Sequence, residues 1–88
     1  MSKLIFSENA WNDYVYWQSQ DKKTLDKINR LLKEVQRTPF SGEGKPKPLR
    51  KSVSNAWSRR INQKDRLVYE VMDDGIYIKQ CKGHYDDK

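Results

Sequence analysis

The side chains that could do chemistry gather in the second half of this chain. Between Glu43 and Arg66 stand eight basic residues (Lys45, Lys47, Arg50, Lys51, Arg59, Arg60, Lys64 and Arg66) against two acids, Glu43 and Asp65. That stretch carries +6, which equals the formal net charge of the whole chain. A concentrated cationic field attracts a polyanion through counterion release and steering. A solvated loop with scattered surface lysines is the bland alternative. Three of the arginines, however, lie close to apolar strand residues, which favours a shared face. Near the far end comes Gly83-His84-Tyr85, holding the single histidine. Imidazole is the one side chain that ordinarily titrates near neutrality.

Cations and an imidazole are enough to break a ribose–phosphate chain. A base takes the proton from the 2′-hydroxyl, cations stabilise the pentacovalent phosphate, and an acid protonates the leaving 5′-oxygen. The nucleophile belongs to the substrate, so no metal is required. With one His, one Cys and scattered acids the sequence shows no ligand spacing, and neither a metal nor another cofactor is expected. Each of these residues also has a plainer reading. His84 fits a surface position in a frayed tail, Tyr85 fits a tail anchor as well as a base-stacking ring, and Trp57 fits the core better than a base platform. Trp11 and Trp17 fit a core or a dimer interface.

These residues need elements to position them. Leu4-Ile5-Phe6 reads as a short strand. Ser7 is an N-cap, with Glu8 favourably placed in the first turn. Ala10, Trp11, Tyr14, Val15 and Gln18 recur at helical spacing, which predicts a helix over residues 8–19. Asp21 caps a second helix, about 22–37, with Leu25, Ile28, Leu31, Leu32 and Val35 on one face. The short link predicts an antiparallel helical hairpin. Pro39 ends it, and residues 38–48 read as a loop. From Ala56 the period becomes two. Trp57 and Ile61 share one face of a strand with Arg60 on the other, 62–65 is a turn, and Leu67, Tyr69 and Val71 are the core face of the next strand. Asp74-Gly75 signals a hairpin into a last strand from Ile76 to Cys81. A meander of this kind can bring Arg60, Arg66 and His84 together. The fold class is α+β, with two N-terminal helices on one face of an antiparallel sheet of at least four strands.

Composition limits the remaining choices. The 88 residues suit one domain, 1–88, and 34% of them are charged, so the core is small. Three Trp, five Tyr and two Phe oppose disorder. No apolar run approaches the roughly 20 residues that cross a bilayer, and the N-terminus turns polar at Ser7, so no signal-peptide core is expected. One cysteine, Cys81, excludes an internal disulfide. The expected location is cytoplasmic.

Six segments then point to a family. Tyr14-Val-Tyr-Trp-Gln18, Arg37-Thr-Pro-Phe40, Gly42-Glu-Gly-Lys-Pro-Lys-Pro-Leu49, Trp57-Ser-Arg-Arg-Ile61, Arg66-Leu-Val-Tyr69 and His84-Tyr85 closely resemble the Txe/YoeB toxins of the RelE-like superfamily, in order and spacing, from Lys3 to Tyr85. The resemblance implies a RelE-like fold with a four- to five-stranded sheet. It implies a ribosome-dependent mRNA endoribonuclease, the toxin of a type II toxin–antitoxin system, acting on mRNA in the ribosomal A site beside ribosomal RNA. A YefM-type antitoxin of the Phd/YefM family and a homodimer come with it. Carried over by position, His84 is the general acid, Tyr85 orders the scissile nucleotide, and Arg66 stabilises the phosphorane. Lys45, Arg50 and Arg60, with Arg59 beside them, are the RNA-binding cations.

This chain departs from the family's usual Gly-Lys-Pro-Glu-Pro-Leu, where the Glu is the general base, by placing Lys47 there. A lysine ammonium accepts no proton, and an ordinary lysine is almost fully protonated at pH 7. Three outcomes stand open. Lys47 acts as base in its neutral form, His84 or Glu43 takes that role, or the protein is a catalytically weakened homologue that mainly binds antitoxin and ribosome. Glu43 is poorly placed, four residues away across Gly44 and Pro46. A DNA-binding role has less support, since no helix-turn-helix pattern is visible.

Overall fold

The structure, a computed structural model, describes residues 2–49 and 55–84. The element order is β1 (Leu4–Phe6), α1 (Glu8–Gln20), α2 (Lys22–Arg37), β2 (Lys47–Pro48), β3 (Ala56–Arg60), β4 (Arg66–Met72) and β5 (Gly75–Gln80). Both caps form as the sequence predicts. The Ser7 side chain accepts the Ala10 N–H, and the Asp21 carboxylate accepts the Thr24 N–H, satisfying donors that a first turn leaves free.

The five strands make one sheet in the order β1-β5-β4-β3-β2. The β3-β4-β5 meander is antiparallel, as expected. The edge strand β1 joins parallel to β5, with Leu4 opposite Ile76 and Phe6 opposite Ile78, so the sheet is mixed. Gly75 makes this edge possible. At φ +153° a side chain there would bring a Cβ within 2.9 Å of the Lys3 carbonyl oxygen, the group that accepts the Ile76 N–H. The 38–48 segment is also more ordered than a loop reading suggests. Its end pairs with β3, Lys47 opposite Ser58 and Pro48 opposite Trp57.

The core lies between the helices and one face of the sheet. Ile28, Leu31, Leu32 and Val35 of α2 meet Ile61, Leu67, Tyr69, Ile76, Ile78 and Cys81. Burial of this kind stabilises by about 25 cal/mol per Å² of apolar surface. The buried face of α1 is rotated from its predicted position. Ala10 and Trp17 are buried, whereas Trp11 and Val15 are exposed. A polar contact selects Trp17, because its indole N–H donates to the Cys81 carbonyl at 2.8 Å. Among the described residues no helix is long and apolar enough to cross a membrane.

Candidate functional site

The face of the sheet away from the helices carries the cations. Cross-strand partners in an antiparallel pair share a face. Arg60 stands directly opposite Arg66, and Ser58 is opposite both Val68 on β4 and Lys47 on β2. Lys45, Pro46, Lys47, Ser58, Arg60 and Arg66 line one cleft of about 360 Å³. Among the described residues four cationic side chains therefore converge on a space large enough for a nucleotide-sized anion. Leu49, Ala56 and Val68 form a small apolar cluster on the same face.

The loop is held over β3 by its backbone. The Gly44 carbonyl accepts the Arg60 N–H at 2.7 Å. Gly44 at φ +89° and Lys45 at φ +51° both take left-handed conformations, and a Cβ on Gly44 would sit 3.1 Å from Leu31 and Arg59 side-chain atoms. This close approach lays Lys45 and Lys47 along the cleft.

Arg59 does not belong to that surface. Its place in the sequence sets it among the expected RNA-binding cations, but it is fully buried on the helix side. Its guanidinium donates to Glu43 O at 2.9 Å, to Ser41 O at 2.9 Å and to Thr38 O, and its Nε donates to the Tyr69 hydroxyl at 3.0 Å. Tyr69 in turn donates to Pro39 O at 2.7 Å. Burial raises the Tyr69 pKa, partly offset by Arg59, so the phenol stays protonated and keeps donating. Arg59 thus holds the 38–44 loop from beneath. Strand alternation decides its fate, because residue 59 shares the face of Trp57 and Ile61.

Glu43 is likewise committed elsewhere. Its carboxylate pairs with Arg30 at 2.7 Å and lies 3.6 Å from Lys27, both on α2. The hydrogen bond from Arg30 is the main reason its carboxyl lies below the usual range. Its salt bridges run to the helix and it does not line the cleft.

At the C-terminal end the chain is tied down before it reaches His84. Cys81 N–H donates to Asp13 at 3.1 Å and Cys81 O accepts from Trp17. Gly83 O accepts the Arg66 N–H at 2.9 Å. His84 follows directly and is exposed, so it leaves the sheet beside a cleft-lining arginine. Cys81 is no nucleophile. Burial, with the Asp13 and Asp65 carboxylates, pushes its thiol up to about 12. Arg50 and Tyr85 lie outside the described residues.

One polar residue at this end escaped the sequence reading. Asp65 is buried, and it accepts the Gly83 N–H at 2.7 Å. A polar turn at 62–65 was visible in sequence, but no local pattern announces a partner 18 residues away.

A family model described as the YoeB-like toxin of bacterial type II toxin–antitoxin systems matches residues 6–85. The chain belongs to the YoeB toxin family. Toxin YoeB of Escherichia coli is 54% identical over 83 residues, covering 94% of this chain and 99% of that one. Toxin YoeB of a Synechocystis species is 48% identical, covering 94% and 96%. Among solved structures, the YoeB dimer from Staphylococcus aureus superposes with a TM-score of 0.88 at 46% identity, covering 96% of this chain and 98% of that one. For a YoeB–YefM complex from the same organism the TM-score is 0.84 at 44% identity, with 97% and 99% covered. The helical pair on a mixed five-stranded sheet is therefore the family's architecture.

Proposed function

We propose that this YoeB-family chain is a metal-independent endoribonuclease that cuts mRNA in the ribosomal A site. The observation that carries the reading is the cleft itself, where Lys45, Lys47, Arg60 and Arg66 converge while the backbone delivers His84 next to Arg66. The 2′-hydroxyl loses its proton and its oxygen bonds to phosphorus. The P–O5′ bond breaks, and the 5′-oxygen takes a proton from the His84 imidazolium. Arg66 and Arg60 stabilise the charge that builds on the phosphorane oxygens. Lys47, which lines the cleft, is the residue we assign to take the 2′ proton. Lys45 and Arg50 hold the RNA backbone, and Tyr85 orders the scissile nucleotide.

A second reading has its own support. Among the described residues, those lining the cleft include no carboxylate, and Glu43 is bound to Arg30. A toxin without a competent base would bind ribosome and antitoxin and cleave weakly.

One experiment separates the two. Primer extension on a translated message is run with wild type, Lys47→Glu and His84→Gln. The enzyme reading expects breaks at A-site codons with wild type and a loss of about 100-fold or more with His84→Gln. If wild type gives none and Lys47→Glu restores them, the binding-module reading holds.

The partner follows from charge and from the relatives. A YefM antitoxin is expected to cover the cationic face, because a YoeB–YefM complex has this fold, and a homodimer is expected from the YoeB dimer. With +6 on the toxin, an acidic antitoxin should associate more slowly as salt rises. Antitoxin binding that left ribosome binding untouched would contradict this placement.

A further inference from the structure

We propose that Asp65 is a positioning residue that fixes the backbone carrying His84 beside the cleft. This rests on the nuclease reading for its catalytic consequence but not for its geometry.

Asp65 is 4% exposed, so its carboxylate has left bulk water. Both oxygens are occupied. Oδ1 accepts the Gly83 N–H at 2.7 Å and Oδ2 accepts the Asn62 side-chain N–H at 3.0 Å. Asn62 Oδ1 is itself held by the Lys64 and Asp65 backbone N–H groups, at 2.8 and 2.7 Å. The carboxylate therefore cannot rotate away without breaking the turn.

The Gly83 peptide is gripped at both ends. Its N–H goes to the Asp65 side chain and its C=O accepts the Arg66 backbone N–H at 2.9 Å. Fixing both groups fixes the direction in which the chain leaves, and the next Cα, that of His84, is about 3.8 Å further on. A bond to an ionised acceptor is roughly twice as strong as a neutral one. The same turn also steers Arg66, whose Nη1 donates to Asn62 O at 2.7 Å and Asp65 O at 3.2 Å. One turn thus sets the spacing between an arginine of the cleft and the backbone of the residue that carries the imidazole. A general acid works only within hydrogen-bond reach of its target, and an error of about 1 Å can cost about 100-fold in rate.

The test is Asp65→Asn. An amide keeps the shape but cannot accept from both Gly83 and Asn62, because one of its ends is a donor. Single-turnover cleavage of ribosome-bound message should fall about 10- to 100-fold, with ribosome affinity held within about two-fold. In the 1H–15N spectrum the Gly83 amide should lose part of its hydrogen-bonded shift and exchange protection, because a neutral acceptor replaces a charged one, and His84 should gain backbone mobility. In a His84→Gln background Asp65→Asn should cost little further rate, because both changes disable one proton transfer. An equal loss in both backgrounds, or an unchanged His84 with the Gly83 bond weakened, overturns the proposal. If wild type cleaves nothing, the nuclease reading fails, and the Gly83 and His84 signals still judge the positioning. Should Asp65→Asn not fold, Asn62→Ser removes the donor to Oδ2 while its hydroxyl can still accept a backbone N–H of the turn, and it should give the same changes in smaller measure. No change in rate or in the His84 signal would overturn the proposal there too.

Discussion

Arg59 and Arg60 are neighbours on β3, yet the two faces of the sheet put them to opposite uses. The helix face buries Arg59 and consumes its donors on Thr38, Ser41, Glu43 and Tyr69. The open face leaves Arg60 exposed, opposite Arg66 in the cleft. A guanidinium removed from water must be hydrogen-bonded throughout, and it then acts as a brace. A guanidinium left in a cationic cleft keeps its donors for an anion. A count of basic residues thus overstates a cationic surface by whatever strand alternation turns inward.

The largest break in this comparison should come from Arg59→Ala. Three loop carbonyls and a phenol lose their partner together, so we expect a loss of about 3 kcal/mol or more, read as a drop of roughly 12 °C or more in thermal unfolding. Arg60→Ala should stay within about 0.5 kcal/mol of wild type. Equal costs for the two would remove the distinction. Next in size is Tyr69→Phe, which strips the support of Pro39 and Arg59 but keeps the ring. About 1–3 kcal/mol is expected from denaturant titration.

Smaller again is a salt effect confined to the open face. Arg60→Ala should lower the slope of log affinity for single-stranded RNA against log salt by about 0.7 for one lost phosphate contact. A conservative Arg59→Lys that still folds should leave that slope alone. The smallest effect lies at Glu43, whose carboxyl the Arg30 hydrogen bond holds below its ordinary 4.5. A depressed folded pKa contributes stability above the unfolded value and loses it as pH falls through the folded one. The stability gap between wild type and Glu43→Gln should therefore be present at pH 7 and close as pH falls from about 4.5 through the depressed value. A gap that widened in acid would contradict the Arg30 contact.

Much of the frame is legible in sequence. Ser7 and Asp21 are strong N-caps, Pro39 cannot continue a helix, and the apolar stripe of α2 and the alternation of Leu67, Tyr69 and Val71 are local signals. The face of α1 was harder to read, because aromatic residues surround that helix and only the Trp17 bond to Cys81 chooses among them. The charge pattern of 43–66 picks out Arg60, Arg66, Lys45 and Lys47, which the structure brings into one cleft. The Arg59 brace and the Asp65 grip on Gly83 were not, since each joins side chains to backbone far away in sequence.

Sequence alone determined the element types, the excess of cations in 43–66 and the position of the single imidazole, because capping, periodicity and charge are properties of neighbouring residues. Only the tertiary structure decided that β1 lies parallel to β5, that Arg59 faces inward and that Gly83 is held by Asp65 and Arg66. Those outcomes depend on which distant backbone groups come within hydrogen-bonding distance, and chain closure settles that where no local pattern can.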